Sequence, residues 1–202
     1  MTIKFLWSKL LRKARGRTIS GSHTHPTSKV ESGSHVVDCY FGKYSFCGYD
    51  REIYSCDIGS FCSIANRVNI GSGMHPMGWV SMSPIFYGGR DSVKKKFSTH
   101  KRDAVLRFRI GHDVWIGDSA MFNQGVSVGT GAAIGIGSLV AGGVASYAFL
   151  AGSPAKTVRM RCDQDTVTRL LPSEWWVYPD DMLAAYAKYF SKPKEFLAKI
   201  DR

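Results

Sequence analysis

From Ile110 to Val140 a large apolar residue recurs every six positions: Ile110, Ile116, Phe122, Val128, Ile134 and Val140. A small residue nearly always follows it, as in Ile110-Gly111, Ile116-Gly117, Val128-Gly129, Ile134-Gly135 and Val140-Ala141, with Phe122-Asn123 the larger exception. Period six is neither a helical stripe nor plain strand alternation. It is an internal repeat, and it restricts the chain to a solenoid. The physical solution is a parallel β-helix. Each hexad supplies one short strand and one corner, and three hexads close a triangular coil. Successive coils pair at roughly 4.8 Å. The apolar residue points into the prism, and the small residue after it is expected to let the backbone turn the corner without a Cβ clash. These six hexads make two coils.

Upstream the repeat is legible at Phe41-Gly42, Cys47-Gly48, Ile53, Ile58-Gly59, Ile64-Ala65 and Ile70-Gly71, with weak beginnings near Val30 and Val36. The step from Ile53 to Ile58 is five, so one corner is shortened. This region predicts roughly two further, irregular coils. Between Ile70-Gly71 and Ile110-Gly111 the repeat stops. A prism gains nothing from so long an insertion, which marks it as functional. Its first half, from Met74-His75-Pro76 to Phe86-Tyr87, is rich in aromatics, Met and Pro and suits a pocket wall. Its second half carries Lys94-Lys95-Lys96 and Lys101-Arg102 and reads as a solvated face.

The expected fold is therefore mainly β: a parallel β-helix with a long loop insertion, an N-terminal helix and C-terminal helices. Residues 1–29 are the N-terminal helix and linker, 30–162 the β-helix with its loop at 71–109, and 163–202 a helical segment. The N-terminal helix covers 2–17, with Ile3, Leu6, Trp7 and Leu10 on one stripe among Lys4, Lys9, Arg12, Lys13, Arg15 and Arg17. Two readings stand for it: packing on the body or a neighbouring subunit, or lying on an anionic membrane. Residues 18–35 are Ser-, Gly- and His-rich and read as a linker or a loosely wound first turn. At the other end, Asp163 caps a helix that Pro172 stops after Leu171, Trp175-Trp176 packs on the prism, and helices follow at 180–190 and 193–200.

The chain has 202 residues and a formal net charge of +11, which admits an anionic cofactor, membrane or nucleic acid as partner. No nucleic-acid motif accompanies the charge, so no nucleic acid is predicted. The five cysteines show no ligand-like spacing, and His23, His25 and His35 lack a completing carboxylate or thiol, so neither a disulfide nor a metal is predicted. Neither a spanning segment nor a signal peptide is recognisable, which makes the cytoplasm the default compartment, with the basic helix offering peripheral contact at the inner face of the membrane.

His75 with its loop, Asp113-Val114-Trp115-Ile116-Gly117, Gly137-Ser138 and Ala151-Gly152-Ser153-Pro154-Ala155-Lys156 resemble the hexapeptide-repeat acyltransferases. The branch most resembled joins the xenobiotic acetyltransferases of the chloramphenicol and streptogramin class to bacterial sugar O-acetyltransferases. The resemblance covers about residues 36–180. It implies a left-handed coil and a homotrimer with each active site between neighbouring prisms. It also implies acetyl-CoA as co-substrate, lying along the coil corners.

Within that resemblance His75 stands where the family's catalytic histidine stands. Imidazole titrates near neutrality, so it can take the acceptor's proton and return it to the leaving thiolate. A loop histidine that merely packs is the alternative. An Asn that often precedes this His in the family is missing, which leaves the group that fixes the imidazole tautomer open. His100 reads as solvated and His112 as structural or surface. Trp79, Ser81, Phe86 and Tyr87 would line the acceptor side. Trp115 is either an intersubunit packing residue or an active-site aromatic beside the thioester, or both. Asn123, Ala141, Gly142, Ala151 and Ser153 are corner positions whose backbone can bond pantetheine amides, and Lys156 and Arg159 can pair with CoA phosphates. The leading expectation is O-acetylation of a sugar or surface-glycan precursor in a ternary complex. The alternatives are an antibiotic O-acetyltransferase, N-acetylation of a nucleotide sugar, and a non-catalytic scaffold. A γ-carbonic anhydrase would need three zinc histidines from adjacent coils, and the coils carry no such set.

Overall fold

A computed structural model describes residues 3–71, 73–89 and 93–200. The first position of the expected N-terminal helix and Ser72 of the loop lie outside them. The chain winds as a left-handed parallel β-helix. Among the described residues every strand ladder is parallel except the last. Its three faces are columns of inward residues in register. Val36, Ile53 and Ile70 stack on the first face, with Phe122 on Val140 further along. Phe41, Ile58, Ile110 and Val128 stack on the second. Val30, Cys47, Ile64, Ile116, Ile134 and Leu150 stack on the third. All belong to one continuous buried core.

Coil length differs between the two halves. Residues in contact on neighbouring N-terminal coils are 17 apart, as in Tyr49 and Asn66, and those on C-terminal coils 18 apart, as in His112 and Thr130. The shortened corner recurs: strands His35–Phe41 and Glu52–Ile58 run straight through it, with Asp38 (φ 54) and Ser55 (φ 47) left-handed. The long loop leaves from this same edge. Gly71 (φ 94) starts it, and a Cβ there would lie 2.2 Å from the Tyr54 carbonyl oxygen. Arg107 anchors the loop's return. Its Nε and Nη2 hold both Asp57 carboxylate oxygens at 2.9 and 2.7 Å, and Nη1 reaches Asp38 Oδ2 at 2.9 Å.

The small residue after each apolar one has a different cause from the expected one. Gly42, Gly59, Gly111 and Gly129 are absent from the left-handed positions, which fall instead at Tyr44, Phe61, Asp113 and Gly131. What excludes a side chain is the neighbouring coil. A Cβ on Gly42 would lie 2.7 Å from the Gly59 carbonyl carbon, on Gly59 2.5 Å from the Gly111 oxygen, and on Gly111 2.6 Å from the Thr130 nitrogen. The column is glycine because the coils touch backbone to backbone.

Residues 18–35 wind as the first coil, with Thr18–Ser20 and His23–Thr24 pairing to the strand His35–Phe41. The N-terminal helix α1 is Ile3–Ala14. At the other end come α2 (Gln164–Ser173), α3 (Asp180–Tyr186) and α4 (Pro193–Ile200). Asp163 caps α2 by accepting from the Thr166 N–H at 2.8 Å. Pro172 lies inside the last turn of α2 and does not stop it. A proline so near the end removes only one bond of a ladder already finishing, and the turn ends instead at Glu174 in the left-handed region (φ 43). These helices lie along the prism edge that carries Tyr44, Phe61, His112 and Tyr147. Phe61 meets Trp175 (5.0 Å), and the Tyr44 hydroxyl donates to the Asp180 carboxylate at 2.5 Å. No helix among the described residues is long and apolar enough to cross a membrane.

His112 belongs to this packing. Its ring stacks on Trp176 (5.1 Å, 13°), and its Nδ1 accepts the Ser60 N–H at 3.0 Å. Burial lowers its pKa below the ordinary 6.5, with Glu174 opposing. The unfolded chain therefore binds this proton more tightly. The contribution to stability is complete above about pH 6.5 and is lost as pH falls through the lower folded value. Thermal melts between about pH 7.5 and 5 should show the midpoint falling, and His112→Gln should flatten that slope. An unchanged slope would remove His112 from the account.

Candidate active site

The loop folds on itself before it makes a site. Ser83 caps the short 3-10 turn Pro84–Phe86. The basic half closes over that turn: Lys96 Nζ donates to the carbonyls of Pro84 (2.7 Å) and Tyr87 (2.9 Å), and Ser98 Oγ to that of Phe86 (2.6 Å). Lys94, Lys95 and Lys101 are exposed, as expected of a solvated basic face, but Lys96 is half-buried and braces the loop. Tyr87 is buried at the centre, its ring flanked by Lys96 Nζ (5.5 Å) and by the Arg102 guanidinium (5.0 Å).

His75 rests on this platform. Its Nδ1 lies 2.9 Å from the Met82 carbonyl oxygen and 3.0 Å from the Tyr87 hydroxyl. A carbonyl can only accept, so Nδ1 carries the proton and donates it. The lone pair is then on Nε2, which has no hydrogen-bond partner among the described residues. The Met82 carbonyl of the loop thus fixes the tautomer in this chain. The Tyr87 ring meets His75 edge-on (6.3 Å, 65°) and fixes the imidazole plane. Tyr87→Phe should retain the fold and lose roughly three- to tenfold in turnover, because the Met82 bond survives and only one restraint is removed. A loss as large as that of His75 itself would mean that the phenol takes part in the chemistry.

A cavity of about 390 Å³ opens beside His75, lined by Met74, Met77, Trp79, Arg102, Val105 and Gln124 among others. The size suits a small-molecule site. Gln124 comes from the coil beyond the loop's return, on the edge where Leu106 packs against Gly125. Trp79 lines the cavity and stands between it and His100, whose ring it meets at 5.9 Å. His100 is exposed but is part of the aromatic cluster and not of the cavity lining.

The other expected residues spread over the prism. Tyr87 stands behind His75. Ser81 accepts the Ser83 N–H at 3.2 Å, and Phe86 stacks on Phe97 (6.1 Å), so neither lines the cavity. Asn123, Ala141 and Gly142 follow the first-face strands Met121–Phe122 and Leu139–Val140, on the edge that bears the loop. Trp115 starts a third-face strand and is exposed. Ala151 and Ser153 follow that face on a different edge, where Ala148–Gly152 turns back into the antiparallel strand Ala155–Met160, which bears Lys156 and Arg159. His75 shares the loop-bearing edge with the first group, and the second group lies on another edge. Gln124, Arg102 and the Met82 carbonyl were missed in the sequence. The six-residue phase places Gln124 at the corner just after Phe122, on the edge from which the loop leaves.

Covalent catalysis by the four prism cysteines finds no support, and Cys162 does not line the cavity. Burial pushes the Cys39 thiol up to about 11 and the Cys62 thiol up to about 12, and raises Cys47 and Cys56 as well. Such thiols are not nucleophiles at neutral pH. Among the described residues no group of His, Cys, Asp and Glu could hold a metal ion.

The arrangement has known relatives. A chloramphenicol acetyltransferase of Morganella morganii is 35% identical over 181 residues, covering 84% of this chain and 84% of its own length. One from Agrobacterium fabrum is 38% identical over 183 residues, covering 85% of each. Among solved structures, the polySia-specific acetyltransferase NeuO is similar with a TM-score of 0.50 and 25% identity, over 77% of this chain and 69% of that one. No family profile matches the sequence. With that identity over most of its length and the same solenoid architecture, this chain belongs to the hexapeptide-repeat acyltransferases and is an acetyl-CoA-dependent O-acetyltransferase.

Proposed function

We propose that the enzyme acetylates a hydroxyl of a sugar, in a surface glycan or its precursor, with His75 as general base. The observation that carries this reading is the Nδ1–H bond from His75 to the Met82 carbonyl at the mouth of a cavity, which leaves Nε2 as the free base. The acceptor O–H gives its proton to Nε2 while its oxygen bonds to the thioester carbonyl carbon. The tetrahedral oxyanion collapses, the C–S bond breaks, and the CoA thiolate leaves with the electron pair and takes the proton from Nε2.

The cavity favours a polyol. Arg102, Asp103 and Gln124 supply donors and acceptors for hydroxyls, and Trp79 offers an aromatic surface to the C–H face of a sugar ring. The similarity to a polySia-specific acetyltransferase agrees with that reading. The second reading is antibiotic O-acetylation, favoured by the identity to chloramphenicol acetyltransferases and by the exposed Met74 and Met77 beside His75. A thiol-detection assay of CoA release decides between them. The panel is sugars, nucleotide sugars, glycan fragments, chloramphenicol and a streptogramin. Turnover with a sugar acceptor supports the proposal, and turnover confined to the antibiotics overturns it.

Acetyl-CoA is placed by Asn123, Ala141 and Gly142 on one edge and by Ala151, Ser153, Lys156 and Arg159 on another, with Trp115 beside the thioester. These edges meet only if a neighbouring prism brings its second edge to the first. A homotrimer with sites between subunits does so. Mixed oligomers of His75→Ala with a Lys156→Glu/Arg159→Glu variant should recover turnover that neither parent has. No recovery in verified mixed oligomers would place each site within one subunit.

A further inference from the structure

We infer that α1 is a docking element for an anionic lipid surface. The helix presents Leu6, Trp7, Leu10 and Leu11 on one continuous stripe, exposed by 47%, 60%, 61% and 61%. A helix of 12 residues is marginal in water on its own, and one with such a stripe is stabilised by whatever covers it. The prism does not cover these four side chains. Just after the helix, Arg15 pairs with Asp50 at 3.0 Å and Arg17 donates to the Val30 carbonyl at 2.9 Å.

Charge decides what the cover is. Residues 1–30 hold seven Lys and Arg and no Asp or Glu. The partner must therefore be both apolar and negative. A second copy of this chain is a poor match: its net charge is +11, and Asp38, Asp57, Asp113 and Asp118 already pair with arginines of their own prism. An anionic bilayer offers both properties at once. Its headgroups take the cations, and its acyl boundary takes the leucines, with Trp7 at the level between them. Each cation near such a surface contributes roughly fivefold in affinity. The inference holds whether or not the acceptor is a sugar. It gives the enzyme a raised local concentration toward any acceptor carried by the same surface.

Co-sedimentation of the full chain with vesicles tests it, using phosphatidylcholine alone and phosphatidylcholine mixed with phosphatidylglycerol. The wild type should bind the mixed vesicles about tenfold or more better than the neutral ones, and high salt should reduce the difference. Trp7→Ser/Leu10→Ser should lose about tenfold on the mixed vesicles. Its turnover on a soluble acceptor and its sedimentation mass should stay unchanged. Equal binding by variant and wild type overturns the inference, and so does no binding of the wild type. A fall in the variant's oligomeric mass also overturns it, by showing that another copy covers the helix.

Discussion

His75→Ala is expected to fold, keep its oligomeric mass, bind acetyl-CoA, and lose about 10²–10⁴ in kcat. The range is that of a positioned general base, and the loss should fall on kcat with little change in KM for acetyl-CoA. The fold is safe because His75 is exposed and contributes no core packing. Its two polar partners, the Met82 carbonyl and the Tyr87 hydroxyl, are left at a surface where water can serve them. His75→Gln should be as inactive as the alanine, because an amide cannot take the proton. If His75→Ala retains more than about a tenth of wild-type turnover, the base is elsewhere.

A large stability effect is expected in the glycine column. A Cβ added at Gly59 would lie 2.5 Å from the Gly111 oxygen and 2.9 Å from the His112 nitrogen. Both atoms belong to backbone, which cannot rotate away. Separating the coils locally would break ladder bonds such as Gly59 N–H to Ile110 carbonyl (2.9 Å). Gly59→Ala should therefore cost about 3 kcal/mol, or roughly 6–12 °C in apparent unfolding midpoint. Gly78→Ala is the control, since a Cβ there meets nothing within 4 Å, and it should change stability by less than about 0.5 kcal/mol. Equal midpoints for the two variants would contradict the close-contact account of the glycine column.

The prism was legible because one inward residue in six is all that a coil needs, and its neighbours above and below demand the same of the next coil. The first coil was harder to read. Of its inward positions only Val30 is a buried aliphatic, while Thr24 is polar and its hydroxyl is buried without a partner. A terminal coil has one neighbour, so its pattern is less constrained. The loop's aromatic half could be recognised as a wall, but Lys96 could not be recognised as its brace. That role needs the two halves of the loop folded together, and three consecutive lysines look the same solvated or not.

At the site the division is similar. His75 stood out by its place after the interruption. The Met82 carbonyl did not, because every residue has one and only geometry selects it. Asn123, Ala141 and Gly142 were found as corner residues by counting hexads, and they do share the loop-bearing edge. Ala151 and Ser153 were read as corners in the same way, and Lys156 and Arg159 from the small-residue turn before them, but these four sit on a different edge. Counting hexads places a residue on an edge but cannot show which edges meet in a proposed assembly of subunits.

The most direct test of the central claim follows the acetyl carbon. Acetyl-CoA labelled with carbon-13 at the carbonyl, enzyme and a glycan acceptor are incubated together, and the label is located by NMR. The account predicts an ester on a sugar oxygen, released by mild hydroxylamine and absent with His75→Ala. Label on an amine, on the protein or only in free acetate would contradict direct transfer to a hydroxyl by this histidine.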